Sequence, residues 1–145
     1  VTYVGDSFCS YVYGGGITAA NQVGIATDCK GGRRLIDYTK ALPNTNIVIL
    51  GLGANDAGST DHDIYRYTLQ QKLQTPNKVY CVLPPNYANG AMTWVRQTML
   101  EECTNTIDPD NYGVYPGGDG VHWNQDSHNK WANGLIDILR AEGLL

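Results

Sequence analysis

Along the 145 residues, short blocks of consecutive apolar positions alternate with longer stretches in which apolar residues recur three and four apart. The first pattern predicts strands covered on both faces, and the second predicts helices. Residues 46–52 (Asn-Ile-Val-Ile-Leu-Gly-Leu) form the clearest strand, and residues 78–83 form another, closed by Pro84 and Pro85. Tyr3 and Val4 begin one at the amino end, and 23–26 with a short stretch at 114–115 complete a set of five. Helical spacing covers 61–73, with Ile64, Tyr67 and Leu73 among its apolar positions and Thr60 or Asp61 as its cap. It recurs at 92–103 through Met92, Val95, Met99 and Cys103, and at 124–141, where Trp131, Leu135, Ile138 and Leu139 make an inner stripe. Weaker helical patterns follow Ser7, occupy 17–22, and run over 33–42 through Leu35, Ile36 and Leu42 until Pro43 stops them.

Strands separated by helices require parallel pairing through right-handed crossovers. The pattern therefore predicts a three-layer α/β/α fold of flavodoxin-like kind with a five-stranded parallel sheet, residues 1–145 making one domain. In such a sheet every strand ends at the same edge, and ligands bind there. Ser7, Gly32, Asn55 and the loop 119–122 each follow a predicted strand, so they converge in space.

Composition narrows the function. Charged residues make up 17% and the net charge is −4, which excludes the broad basic surface that nucleic acid requires. Lys30, Arg33 and Arg34 are the one basic cluster, too small for that role. No apolar run approaches membrane-spanning length. A start at Val1, inside a predicted strand, reads as a trimmed, processed or excised piece. The compartment stays open, an excised piece favouring an extracellular, cell-surface or virion-associated setting. Cys9, Cys29, Cys81 and Cys103 form no CxxC pair, which argues against zinc. Buried thiols are the default reading for them, although Cys9 and Cys29 follow the first two strands and are able to approach each other.

Gly5-Asp6-Ser7 places a hydroxyl at the end of the first strand, where a nucleophile needs a base nearby. Without a second glycine it is not the G-x-S-x-G elbow. Asp119-Gly120-Val121-His122 supplies the base: a carboxylate three residues before a histidine can reach Nδ1 and leave Nε2 to accept the serine proton. Gly53-Ala54-Asn55-Asp56 puts a side-chain amide at the end of the central strand, a donor suited to an oxyanion. Asp28-Cys29-Lys30-Gly31-Gly32-Arg33 lacks the Gly-Lys-Ser/Thr of a phosphate loop, and its glycines suit a backbone N–H near the reacting oxygen. A metal reading would recruit Asp119, His122, Asp126 and His128, whose spacing matches no usual zinc pattern.

In order, these segments resemble the four sequence blocks of the SGNH (GDSL-type) hydrolases. The run from Asp28 to Leu35 resembles the second block of the branch that modifies O-acetyl groups on peptidoglycan and polysaccharide. The resemblance spans Val4 to the last helix. It implies Ser7 as nucleophile, His122 as base, Asp119 as its orienter, and an oxyanion hole from the N–H groups of Ser7 and Gly32 with Asn55. It needs no cofactor and no metal. Arg33, Tyr87 and Trp123 are candidates to touch substrate, and Trp94, Tyr112 and Tyr115 join them as aromatics near the site edge that suit a sugar ring. The expected partner is a small acyl ester, by preference an O-acetylated saccharide, with no nucleic acid and no membrane span. The rivals are acyl transfer to a sugar, a general short-chain esterase or lysophospholipase, and a non-catalytic glycan-binding module.

Overall fold

The structure, a computed structural model, describes residues 1–10, 20–86, 90–114 and 122–145. Five strands, β1 Thr2–Gly5, β2 Ala26–Cys29, β3 Ile47–Gly51, β4 Lys78–Val82 and β5 Asn105–Ile107, form one parallel sheet in the order β2-β1-β3-β4-β5. This is the flavodoxin-like order that the alternation of strand and helix predicts. Its α-helices include α1 Ser7–Ser10, α2 His62–Leu73, α3 Thr93–Glu102 and α4 Gln125–Ala141.

The apolar runs are continuous because consecutive strand residues point to opposite faces and both faces are covered. Tyr3, Ile49, Tyr80 and Val82 meet Trp131, Leu135 and Leu139 of α4 on one side. Val4, Leu50, Cys81 and Leu83 meet Tyr65 and Leu69 of α2 and Val95 and Met99 of α3 on the other. Asp61 caps α2 by accepting from Ile64 N, and Asn124 caps α4 by accepting from Ser127 N. Within α2 the inner face is Tyr65 and Leu69, while Ile64 and Tyr67 are exposed. Among the described residues no helix is long and apolar enough to cross a membrane.

Three elements depart from the sequence reading. The second strand is 26–29 rather than 23–26, because its ladder is set by β1, with Thr2 opposite Ala26 and Gly5 opposite Cys29. It is an edge strand with Ala26 and Thr27 exposed, so apolarity does not mark it. The fifth strand is 105–107 rather than 114–115, and as the opposite edge it buries only Ile107. Residue 115 lies outside the described residues. The predicted helix 33–42 reduces to a single 3-10 turn, Leu35–Asp37. There the Asp56 carboxylate accepts from Leu35 N at 2.8 Å and Ile36 N at 3.4 Å, and Tyr38 then drops into the core.

The cysteines also correct the sequence reading. They are disulfide-bonded, Cys9 to Cys29 and Cys81 to Cys103, with Cα separations of 5.7 and 6.3 Å. Both distances are ordinary for a disulfide. Each bond joins neighbouring layers of the fold, a proximity that spacing along the chain does not reveal. Cys9–Cys29 pins α1, which begins at Ser7, to the end of β2.

Candidate active site

Ser7 stands where the chain leaves β1 and turns into α1. Gly5 makes that turn feasible, since a Cβ there would lie 2.8 Å from Cys9 Cβ and 2.9 Å from Tyr3 Cε1. Asp6 fixes the next step: its Oδ1 accepts from Phe8 N and its carbonyl from Cys9 N, each at 3.0 Å. Asp6 is 2% exposed. Burial pushes its carboxyl up to about 7, with the Phe8 N–H opposing the shift and the nearby Asp56 charge adding to it.

Ser7 Oγ lies 2.8 Å from His122 Nε2, a hydrogen bond across 115 positions of sequence. With the ring proton on Nδ1, the hydroxyl donates to Nε2. The Phe8 ring lies 5.5 Å from the imidazole and 4.7 Å from Trp123, so residues next to Ser7 pack against residues next to His122. Trp123 in turn lies against His128 and Trp131. His128 is buried in α4, and burial, with the nearby His122 adding, brings it down to about 4. It is therefore neutral at pH 7.

The second and third loops are tied together. Lys30 N donates to Gly5 O at 3.1 Å and Arg33 N donates to Lys30 O at 3.3 Å, closing a turn in which Gly32 has φ +75°. That left-handed conformation is what glycine tolerates best. Asn55 sits in the 3-10 turn Ala54–Asp56 after β3, exposed, with Nδ2 donating to Arg33 O at 3.3 Å. Its neighbour Asp56 is fully buried and holds the turn Leu35–Asp37. Burial raises the Asp56 carboxyl above its usual range, with the Leu35 and Ile36 N–H groups opposing. Asp56 was not singled out from sequence. Its position beside an amide at the end of an apolar strand was the available signal.

Two of the candidate substrate contacts have partners within the fold. Arg33 faces inward: Nη1 donates to Asp28 Oδ1 at 3.0 Å, Nη2 donates to Gly5 O at 2.9 Å and to Asp28 O, and the guanidinium lies over the Tyr38 ring. A planar group with several donors joins two strand ends here. Trp123 is 5% exposed and packs in the core among Phe8, His128 and Trp131, because α4 buries that face of the loop before it. Tyr112 likewise packs on Trp131, and Trp94 stacks on His62 at 3.8 Å while donating to Ala57 O. Asp119, Tyr87 and Tyr115 lie outside the described residues. Among the described residues, no group of three His, Cys, Asp or Glu is placed to hold a metal ion.

No family model and no curated protein matches this chain. Solved structures do match, across nearly its whole length. A GDSL-like lipase from Bacteroides thetaiotaomicron aligns with a TM-score of 0.73 at 11% identity, covering 97% of this chain and 87% of that one. A carbohydrate acetylesterase family member from Sinorhizobium meliloti aligns at 0.64 and 15% identity over 97% of each chain. The C-terminal catalytic domain of Streptococcus pneumoniae peptidoglycan O-acetyltransferase A aligns at 0.63 and 13% identity, covering 97% of this chain and 92% of that one. Strand order, the loops gathered at one sheet edge and these alignments together give the chain the fold of the SGNH (GDSL-type) hydrolases.

Proposed function

We propose that this protein is a serine ester hydrolase that removes small acyl groups, above all acetyl, from carbohydrate. The observation that carries the reading is the 2.8 Å contact between Ser7 Oγ and His122 Nε2. Ser7 attacks the ester carbonyl carbon as its proton passes to His122 Nε2, and the carbonyl electron pair moves onto oxygen. The Ser7 and Gly32 N–H groups and Asn55 Nδ2 receive that oxyanion. One of the two Nδ2 hydrogens goes to Arg33 O, an anchor that directs the other outward. The intermediate collapses with cleavage of the bond to the alcohol, which takes the proton from His122. Water then repeats the cycle on the acyl-enzyme, and Asp119 orients the imidazole through Nδ1. The saccharide is favoured by the acetylesterase and acetyltransferase domains whose fold this chain shares.

The test is hydrolysis of an aryl acetate together with labelling by a fluorophosphonate. Ser7→Ala and His122→Ala are expected to lose at least about 10³-fold in kcat and to resist labelling. Release of acetate from O-acetylated polysaccharides then identifies the natural ester. A wild-type protein that is neither labelled nor active on the aryl acetate refutes the reading.

A further inference from the structure

We propose that the acyl group of the ester enters a small cavity beside Ser7 and that Val82 sets how long that group can be. The inference rests on the ester-hydrolase reading. The cavity has a volume of ≈ 20 Å³. Its walls include Asp6 and Phe8, on either side of Ser7, Trp123, which follows His122, and Ala54, which precedes Asn55. One space thus borders the immediate neighbours of the nucleophile, the base and the amide donor. Val82 and Tyr3, both on the α4 face of the sheet, line it as well. The Tyr3 ring closes it along the strands, with Cε1 only 3.2 Å from where a Cβ on Gly51 would lie.

Size and polarity define the occupant. So small a space admits a short acyl group more readily than a long one. Most of the lining is apolar. Among the described residues its one ionisable carboxyl is Asp6, which accepts from Phe8 N, and no cation lines the space. An acyl chain ending in a carboxylate would meet no counter-charge there. The class admitted is a short neutral acyl group, acetyl before propionyl and propionyl before butyryl. Val82, the last residue of β4 and 7% exposed, is the branched side chain that a longer acyl group meets.

The test measures kcat/KM for p-nitrophenyl acetate, propionate and butyrate in the wild type, Val82→Ala and Val82→Ile, with a thermal melt of each. A single methylene misfit in an apolar pocket discriminates by roughly 10–200-fold. The wild type is expected to prefer acetate to butyrate by about 100-fold or more, and Val82→Ala to reduce that preference about tenfold or more. Val82→Ile adds a methyl toward the void and is expected to raise the acetate-to-propionate ratio at least several-fold. It keeps the test open if the alanine variant fails to fold. Wild-type turnover of acetate with ratios in the folded variants within about twofold of wild type overturns the cavity assignment and leaves the hydrolase reading intact. Absence of both turnover and fluorophosphonate labelling in the wild type overturns the hydrolase reading and the cavity assignment with it.

Discussion

Replacing Asp6 by asparagine keeps the acceptor for Phe8 N and removes a proton-binding site that is 2% exposed. In the folded protein burial holds that carboxyl at about 7, against the ordinary 3.8. A raised pKa means that the unfolded chain gives up its proton first. The contribution of Asp6 to stability is therefore complete below about pH 4 and is lost as pH rises to about 7. The move from 3.8 to about 7 amounts to about 4 kcal/mol, a large share of the roughly 5–15 kcal/mol that a domain holds. The wild-type curve alone does not expose this, because His128 acts in the opposite direction over much of the same range. It is brought down to about 4 from 6.5, so its contribution is present above pH 6.5 and is lost on acidification, by about 3 kcal/mol. The informative quantity is the difference between Asp6→Asn and wild type in urea unfolding at pH values from 4 to 8 with the disulfides kept oxidised. Near pH 4 the two are expected to agree within about 1 kcal/mol, and by pH 8 the variant should lead by about 4. A gap that stays constant across the range, or that narrows as pH rises, refutes the buried protonated carboxyl.

His128→Gln removes the opposing titration, so its stability relative to wild type should improve by about 3 kcal/mol between pH 6.5 and pH 4; equal slopes in the two unfolding series would contradict a buried neutral histidine. Replacing both Cys9 and Cys29 by serine opens a link across a separation of 20 residues, which chain entropy values at about 3 kcal/mol. Denaturant midpoints should fall accordingly, and an unchanged midpoint argues against the bond. Arg33→Lys gives up the fork that joins Asp28 to Gly5 O, and is expected to cost about 1–3 kcal/mol of stability. It should lower kcat with little change in KM, since the loop carrying Gly32 loosens; a rise in KM alone at normal stability would restore Arg33 as a substrate contact.

Elements buried on both sides were readable in the sequence. Residues 47–51 have to be apolar at every position because two helical layers cover them, and α4 shows its stripe because one face packs and the other is wet. The edge strands β2 and β5 carry no such demand, and their places are decided by ladder pairing with β1 and β4. At the site, Ser7, Gly32 and Asn55 announce themselves by following strands. What each side chain does once there depends on its neighbours. Arg33 looks like a surface cation until Asp28 and Gly5 O are seen to hold it, and Trp123 looks like a sugar platform until Phe8 and Trp131 cover it. The disulfides were hidden for the same reason: each spans about twenty residues that return through the sheet.

The bond between Ser7 and His122 joins the loop after the first strand to the segment that enters the last helix. During synthesis the imidazole follows the hydroxyl by more than a hundred residues, only after all five strands have been made. A nascent or proteolytically clipped chain that lacks either end has no such pair. The pairing therefore reports completed topology: it forms only once the first and last loops have found the same edge of the sheet.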